Sequence, residues 1–111
     1  MRVLLLVVAL SGATLLSGCC GTSQSGNLVR ANGRYQDGNY DGTIELSDFI
    51  LAQGPVTPEI GAQAGLLKGF SLERLGRLPE AIAVYEYIVH AYGDSTTGAQ
   101  ARGRLAELSG R

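Results

Sequence analysis

At 111 residues the chain has room for one modest core. Charged side chains make up 17% of it and the formal net charge is −1, which gives no electrostatic case for a nucleic-acid partner. Sixteen glycines and no tryptophan imply a thin margin for any helical fold, because a glycine inside a helix costs roughly 1 kcal/mol.

Met1-Arg2 supplies a short basic start. Val3 to Leu16 follows as an apolar run broken only by Ser11, Gly12 and Thr14. That run is shorter than the about 20 residues of a membrane-spanning helix. A basic start, an apolar centre and small residues at the end form the layout of an export signal. A buried core helix is the alternative reading, and the apolar character on all faces at the extreme N-terminus speaks against it. Leu16-Ser17-Gly18-Cys19 then resembles the lipobox of bacterial lipoproteins: an aliphatic residue, two small ones and the cysteine that is modified. The resemblance implies a signal peptide over 1–18, a diacylglyceryl thioether on Cys19, and commonly a third acyl chain on the new amine. Two or more chains anchor stably where one binds marginally. Cys20, the only other cysteine, is left without a partner, since adjacent residues rarely reach disulfide geometry and two sulfurs alone are a poor zinc site. It is expected to be idle, with an intermolecular disulfide as the less favoured role. Its place after Cys19, where Asp does not stand, favours the outer membrane by the same resemblance, with the domain facing the periplasm. Residues 19–26, ending in GTSQSG, are expected to form a lipidated flexible tether.

From residue 27 the expected fold is all-α, and the chain repeats itself. A shift of 38 residues lays Leu28 to Leu51 over Leu66 to Val89, matching Leu28/Leu66, Gly38/Gly76, Ile44/Ile82 and Ile50/Ile88. GAQA at 61–64 recurs at 98–101, a shift of 37. Each unit is expected to hold two helices. Residues 27–37 and 62–75 end at Gly38 and Gly76, which suit the left-handed position that stops a helix. Helices over 41–52 and 79–92 follow. Thr57-Pro58-Glu59 carries an N-cap candidate with proline at the first helical position. Ile82, Tyr85, Val89 and Tyr92 form one helical stripe. Thr97 to Gln100 fits a capping box, and Ala101, Leu105 and Leu108 continue as a terminal helix.

These features resemble the tetratricopeptide family, most densely at Gly69, Gly76, Ala81, Ile82 and Tyr85 within GRLPEAIAVYEYIVHAYGDS. The YGDS ending is similar to one common in tetratricopeptide lipoproteins that help assemble outer-membrane proteins. The first unit carries Thr43 and Ser47 where alanine and an aromatic are usual, and Lys68 stands where leucine is expected. The repeat is also longer than the family's about 34 residues, with the excess around Gln53 to Thr57. The resemblance implies two helix pairs plus a capping helix over 27–111, the first helix of each pair lining a concave protein-binding groove. By position that groove would take Leu28, Asn32, Tyr35 and Gln36 from unit one. Unit two would add Gln63, Leu66, Phe70, Glu73 and Arg74, and the last helix Gln100. Phe70 and Tyr35 suit anchors, since aromatics lead interface energetics, and Arg74 suits a carboxylate. Leu66 and Phe70 read equally well as core.

No catalytic or metal constellation stands out. His90 is the only histidine, and its place in the last turn of a helix favours a cation there. No cofactor is expected. Gly61, Gly65 and Gly69 form a row of small residues that suits close approach of two packed helices. The expectation is therefore a non-catalytic, membrane-anchored adaptor for other proteins of the bacterial envelope, with outer-membrane protein assembly the process the resemblance suggests. A structural lipoprotein tying the outer membrane to cell wall or to a secretion or pilus apparatus is the alternative. About three repeats are usually needed to bury a repeat's apolar faces, so two and a half units imply a partner or a homo-oligomer.

Overall fold

The computed structural model describes residues 24–53 and 56–110. The expected signal segment 1–18, the expected lipidation at Cys19 and residues 20–23 of the expected tether lie outside the described residues. Five helices run in sequence: α1 Gln24–Gln36, α2 Tyr40–Ala52, α3 Pro58–Arg74, α4 Leu78–Tyr92 and α5 Thr96–Ser109, with no strand among the described residues. The all-α expectation holds.

Helix boundaries follow local chemistry. Asn39 caps α2 through a 3.0 Å bond from the Gly42 N–H to its side chain, and Thr57 caps α3 through a 3.3 Å bond from the Ile60 N–H. Each side-chain oxygen thus satisfies one orphan donor of a first turn. Pro58 occupies the first turn of α3 behind the Thr57 cap, as Thr57-Pro58-Glu59 led one to expect, and the helix begins four residues before the 62–75 span. Two further expectations need correction. The expected tether ends at Gly26, yet α1 already starts at Gln24. Burial of Asn27 and Ala31 anchors its first turn, where the leading N–H groups need no partner within the helix. The cap of α5 is Ser95, accepting from the Gly98 N–H at 2.9 Å, and Thr97 is spent elsewhere.

Both first helices end in the same way. Gly38 and Gly76 have φ of +79° and +76°. The Asn39 N–H donates to the Arg34 carbonyl at 2.9 Å and the Arg77 N–H to the Leu72 carbonyl at 2.8 Å. The glycine N–H groups donate three residues back, to Tyr35 and Glu73, at 3.0 Å each. This is the Schellman arrangement, and it absorbs carbonyls that the helix end leaves open. Every one of these bonds recurs after 38 residues, as do the caps Thr57 and Ser95. The GAQA echo at 37 instead tracks burial, with Gly61/Gly98 and Ala64/Ala101 all buried.

Each helix packs on its neighbours in sequence, and α3 also touches α1 and α5. Helices α1, α3 and α5 form one layer and α2 and α4 the other. The row Gly61, Gly65 and Gly69 lies where α4 crosses α3. A Cβ at Gly69 would come within 2.3 Å of the Tyr85 ring, and one at Gly65 within 2.9 Å of Ile88. The glycines thus give α4 its approach, as the spacing suggested.

The larger core joins Leu66, Leu72, Ala81, Tyr85, Ile88, Ala101 and Leu108, with Ile82, Val89 and Tyr92 packed against it. The expected stripe on α4 therefore faces inward. The smaller core holds only Ala31, Leu46, Ile50 and Ala64. Burying a leucine- or isoleucine-sized side chain contributes about 1.5–3 kcal/mol, so unit one is the weaker half. Thr43 and Ser47 are buried there at the positions that Ala81 and Tyr85 hold in unit two. Thr43 Oγ1 donates to the Asn39 carbonyl at 2.8 Å, whereas Ser47 Oγ has no partner.

Candidate functional site

The three-helix layer carries two adjoining cavities that share Phe70. The first, of about 540 Å³, draws Leu28 and Asn32 from α1, Gln63, Leu66 and Phe70 from α3, and Gln100 from α5. The second, of about 400 Å³, is lined by Tyr35, Phe70, Glu73, Arg74 and Arg104. Nine of the ten groove positions expected from the sequence therefore line these cavities. Gln36 lines neither; it is exposed at the end of α1, a step of about 100° around the helix from Tyr35.

Leu66 belongs to the core, at 8% exposure. Phe70 is half-buried and packs between two tyrosines, with ring centroids 6.3 Å from Tyr35 and 6.1 Å from Tyr85. Tyr40 stands 5.5 Å beyond Tyr35. Phe70 is thus both a wall of the groove and part of its support. The floor of the first cavity is apolar, from Leu28, Leu66, Leu67 and Phe70. Its rim carries the side-chain amides of Asn32, Gln63 and Gln100, each holding donors and an acceptor side by side.

The charges around the groove are mostly spent. Arg104 Nε and Nη2 donate to the two oxygens of Glu73 at 2.9 and 2.5 Å, and Arg104 also pairs with Glu107. Glu73 accepts in addition from the Tyr85 hydroxyl at 2.5 Å. The Glu73 and Glu107 carboxylates hold the Arg104 guanidinium firmly in its charged form. Burial, then the bond to Glu73, pushes the Tyr85 hydroxyl well above the usual tyrosine range. At the other end Glu59 Oε1 accepts from Gln63 Nε2 at 2.7 Å and from Thr97 Oγ1 at 2.9 Å. Arg74 is exposed; the neighbouring Tyr35 hydroxyl, as hydrogen-bond partner, raises its pKa further.

The residues that sequence reasoning missed are those that join helices. Arg104 lies 31 positions from Glu73, and nothing local marks it. Glu59 and Thr97 are 38 apart, each two residues past an N-cap, so the repeat period itself was the available signal. Among the described residues no group of three or more His, Cys, Asp or Glu could hold a metal ion, and no helix is long and apolar enough to cross a membrane. Comparison with family models, with curated proteins and with solved structures finds no match to this chain.

Proposed function

We propose that this protein is a lipid-anchored, non-catalytic adaptor of the tetratricopeptide type that holds a segment of another bacterial envelope protein in the α1–α3–α5 groove. The observation that carries the reading is the first cavity, where three successive first helices bring Asn32, Gln63 and Gln100 together over a floor of Leu28, Leu66 and Phe70. The amides match the donors and acceptors of an extended peptide backbone, and the floor suits apolar side chains between them. Glu59 and Glu73 are already hydrogen-bonded, so the groove favours an uncharged segment, with Arg74 placed for a carboxylate at one end. Repetition of the Schellman turns and of the Thr57 and Ser95 caps at 38 residues supports the tetratricopeptide part of the reading. The lipobox-like LSGC at 16–19 supports the anchor and the envelope, and the resemblance to assembly lipoproteins suggests outer-membrane protein assembly as the process.

A photo-reactive amino acid placed in turn at Asn32, Gln63 and Gln100 of the full chain tests this in a bacterial host. All three positions should trap the same protein, whereas Glu86 on the exposed face of α4 should not. Distinct products from the three positions, or the same product from Glu86, would defeat the groove assignment.

A further inference from the structure

The 38-residue equivalence extends to a second surface, on the opposite side of α1 from the groove. Between α1 and α2 lies an open, mainly apolar cavity of about 600 Å³, with Asn27 and Arg30 on one wall and Glu45, Leu46 and Phe49 on the other. Adding 38 to each of those numbers gives Gly65, Lys68, Ala83, Val84 and Tyr87. Those five residues line the corresponding space between α3 and α4, together with Leu51 of α2. In unit two, therefore, a helix stands against this groove. It is α2, which places Leu51 in the wall and ion-pairs Asp48 to Lys68 at 2.6 Å. The groove of unit one is built alike, and no described helix covers it.

What is exposed there suits a particular occupant. Phe49 is 49% exposed. Asn27 is buried at the floor with its Nδ2 donor unpartnered. Arg34 is committed to the Gly42 carbonyl at 3.0 Å and Asp48 to Lys68. Arg30 on the α1 wall and Glu45 on the α2 wall are exposed, and no described residue forms an ion pair with either. In unit two the covering helix brings a carboxylate one turn ahead of an apolar side chain, Asp48 before Leu51. The outward face of α2 repeats that order as Glu45 before Phe49. The α1 side of the patch is basic, and the α2 side is acidic and carries Phe49, which makes the patch complementary to itself about a two-fold axis.

We propose that the α1–α2 edge is a two-fold interface with a second copy of this chain, each copy seating Phe49 in the other's groove and pairing Glu45 with the other's Arg30. The incoming carboxylate also offers an acceptor to Asn27. The segment preceding Gln24 is a poorer occupant, since residues 1–23 contain no Asp or Glu to meet Arg30.

The test uses the full chain in a bacterial host, with Cys20→Ser as parent and Ala52→Cys added at the rim of the groove. A short bismaleimide should link Ala52→Cys into a homodimer. It should leave the parent and a His90→Cys control, the position 38 residues on, monomeric. Phe49→Asp should abolish the dimer band. Arg30→Glu should reduce it about tenfold by setting two acids face to face, and adding Glu45→Arg should restore it. A monomer from Ala52→Cys, equal linking from His90→Cys, linking to a different protein, or no rescue by the charge swap would each overturn the proposal.

Discussion

Glycine has three different physical roles in this chain. Gly38 and Gly76 stop helices in a left-handed conformation. Gly69 admits the Tyr85 ring to within 2.3 Å of where a Cβ would stand. Gly33, inside α1, has nothing within 4 Å of that point, so it carries only the entropic cost of a helical glycine. Opposite responses to one substitution follow. Gly33→Ala should raise stability by about 0.5–1 kcal/mol. Gly69→Ala should lower it by about 1–3 kcal/mol, because Tyr85 is fully buried and the overpacked ring must shift. Urea denaturation of both variants checks this, and a shared direction would refute the division. The same ring explains why Ser47, its counterpart in unit one, leaves a poorer core.

Between elements, the Glu73 carboxylate ties three helices together: its own α3, α4 through Tyr85, and α5 through Arg104. Burial and Glu73 raise the Tyr85 hydroxyl above its ordinary value of 10.0. An unfolded chain ionises this tyrosine near that pH and the folded chain resists. The stabilisation is therefore complete below about pH 10 and is lost as pH climbs toward the folded value. Tyr85→Phe should cost roughly 1–3 kcal/mol near neutrality. It should also flatten the fall in urea midpoint between about pH 8 and about pH 11. An alkaline limb as steep as that of the unmodified chain would show that Tyr85 does not couple folding to pH.

At the scale of the whole molecule, the open α1–α2 edge and the slender core of unit one belong together. A repeat unit buries its apolar face on its neighbour, and among the described residues unit one has a neighbour only at α3. The proposed anchor precedes this same edge in the chain. If Cys19 carries the lipid, Cys19→Ser should abolish fatty-acid labelling and processing, while Cys20→Ser leaves both intact. Radiolabelled palmitate and gel mobility read the two outcomes, and equal effects of both changes would contradict the assignment.

Helix number, order and stops were legible in the sequence because they rest on local chemistry. Gly38 and Gly76 have no Cβ to oppose a left-handed turn, Thr57-Pro58 opens a helix, and the stripe from Ile82 to Tyr92 repeats with the helical period. The tetratricopeptide resemblance, carried over by position, put ten residues on one face, and nine of them line the two cavities. Tertiary structure alone decided the rest. Ser95, not Thr97, caps α5, because Thr97 is buried against Glu59. Leu66 sinks into the core while Phe70, four residues on, stays half exposed, a division that the shared helical face could not make. Arg104 finds Glu73 only once α5 lies beside α3. The gap beside Phe49 likewise exists only in three dimensions, where no described helix stands against it and no motif marks the surface.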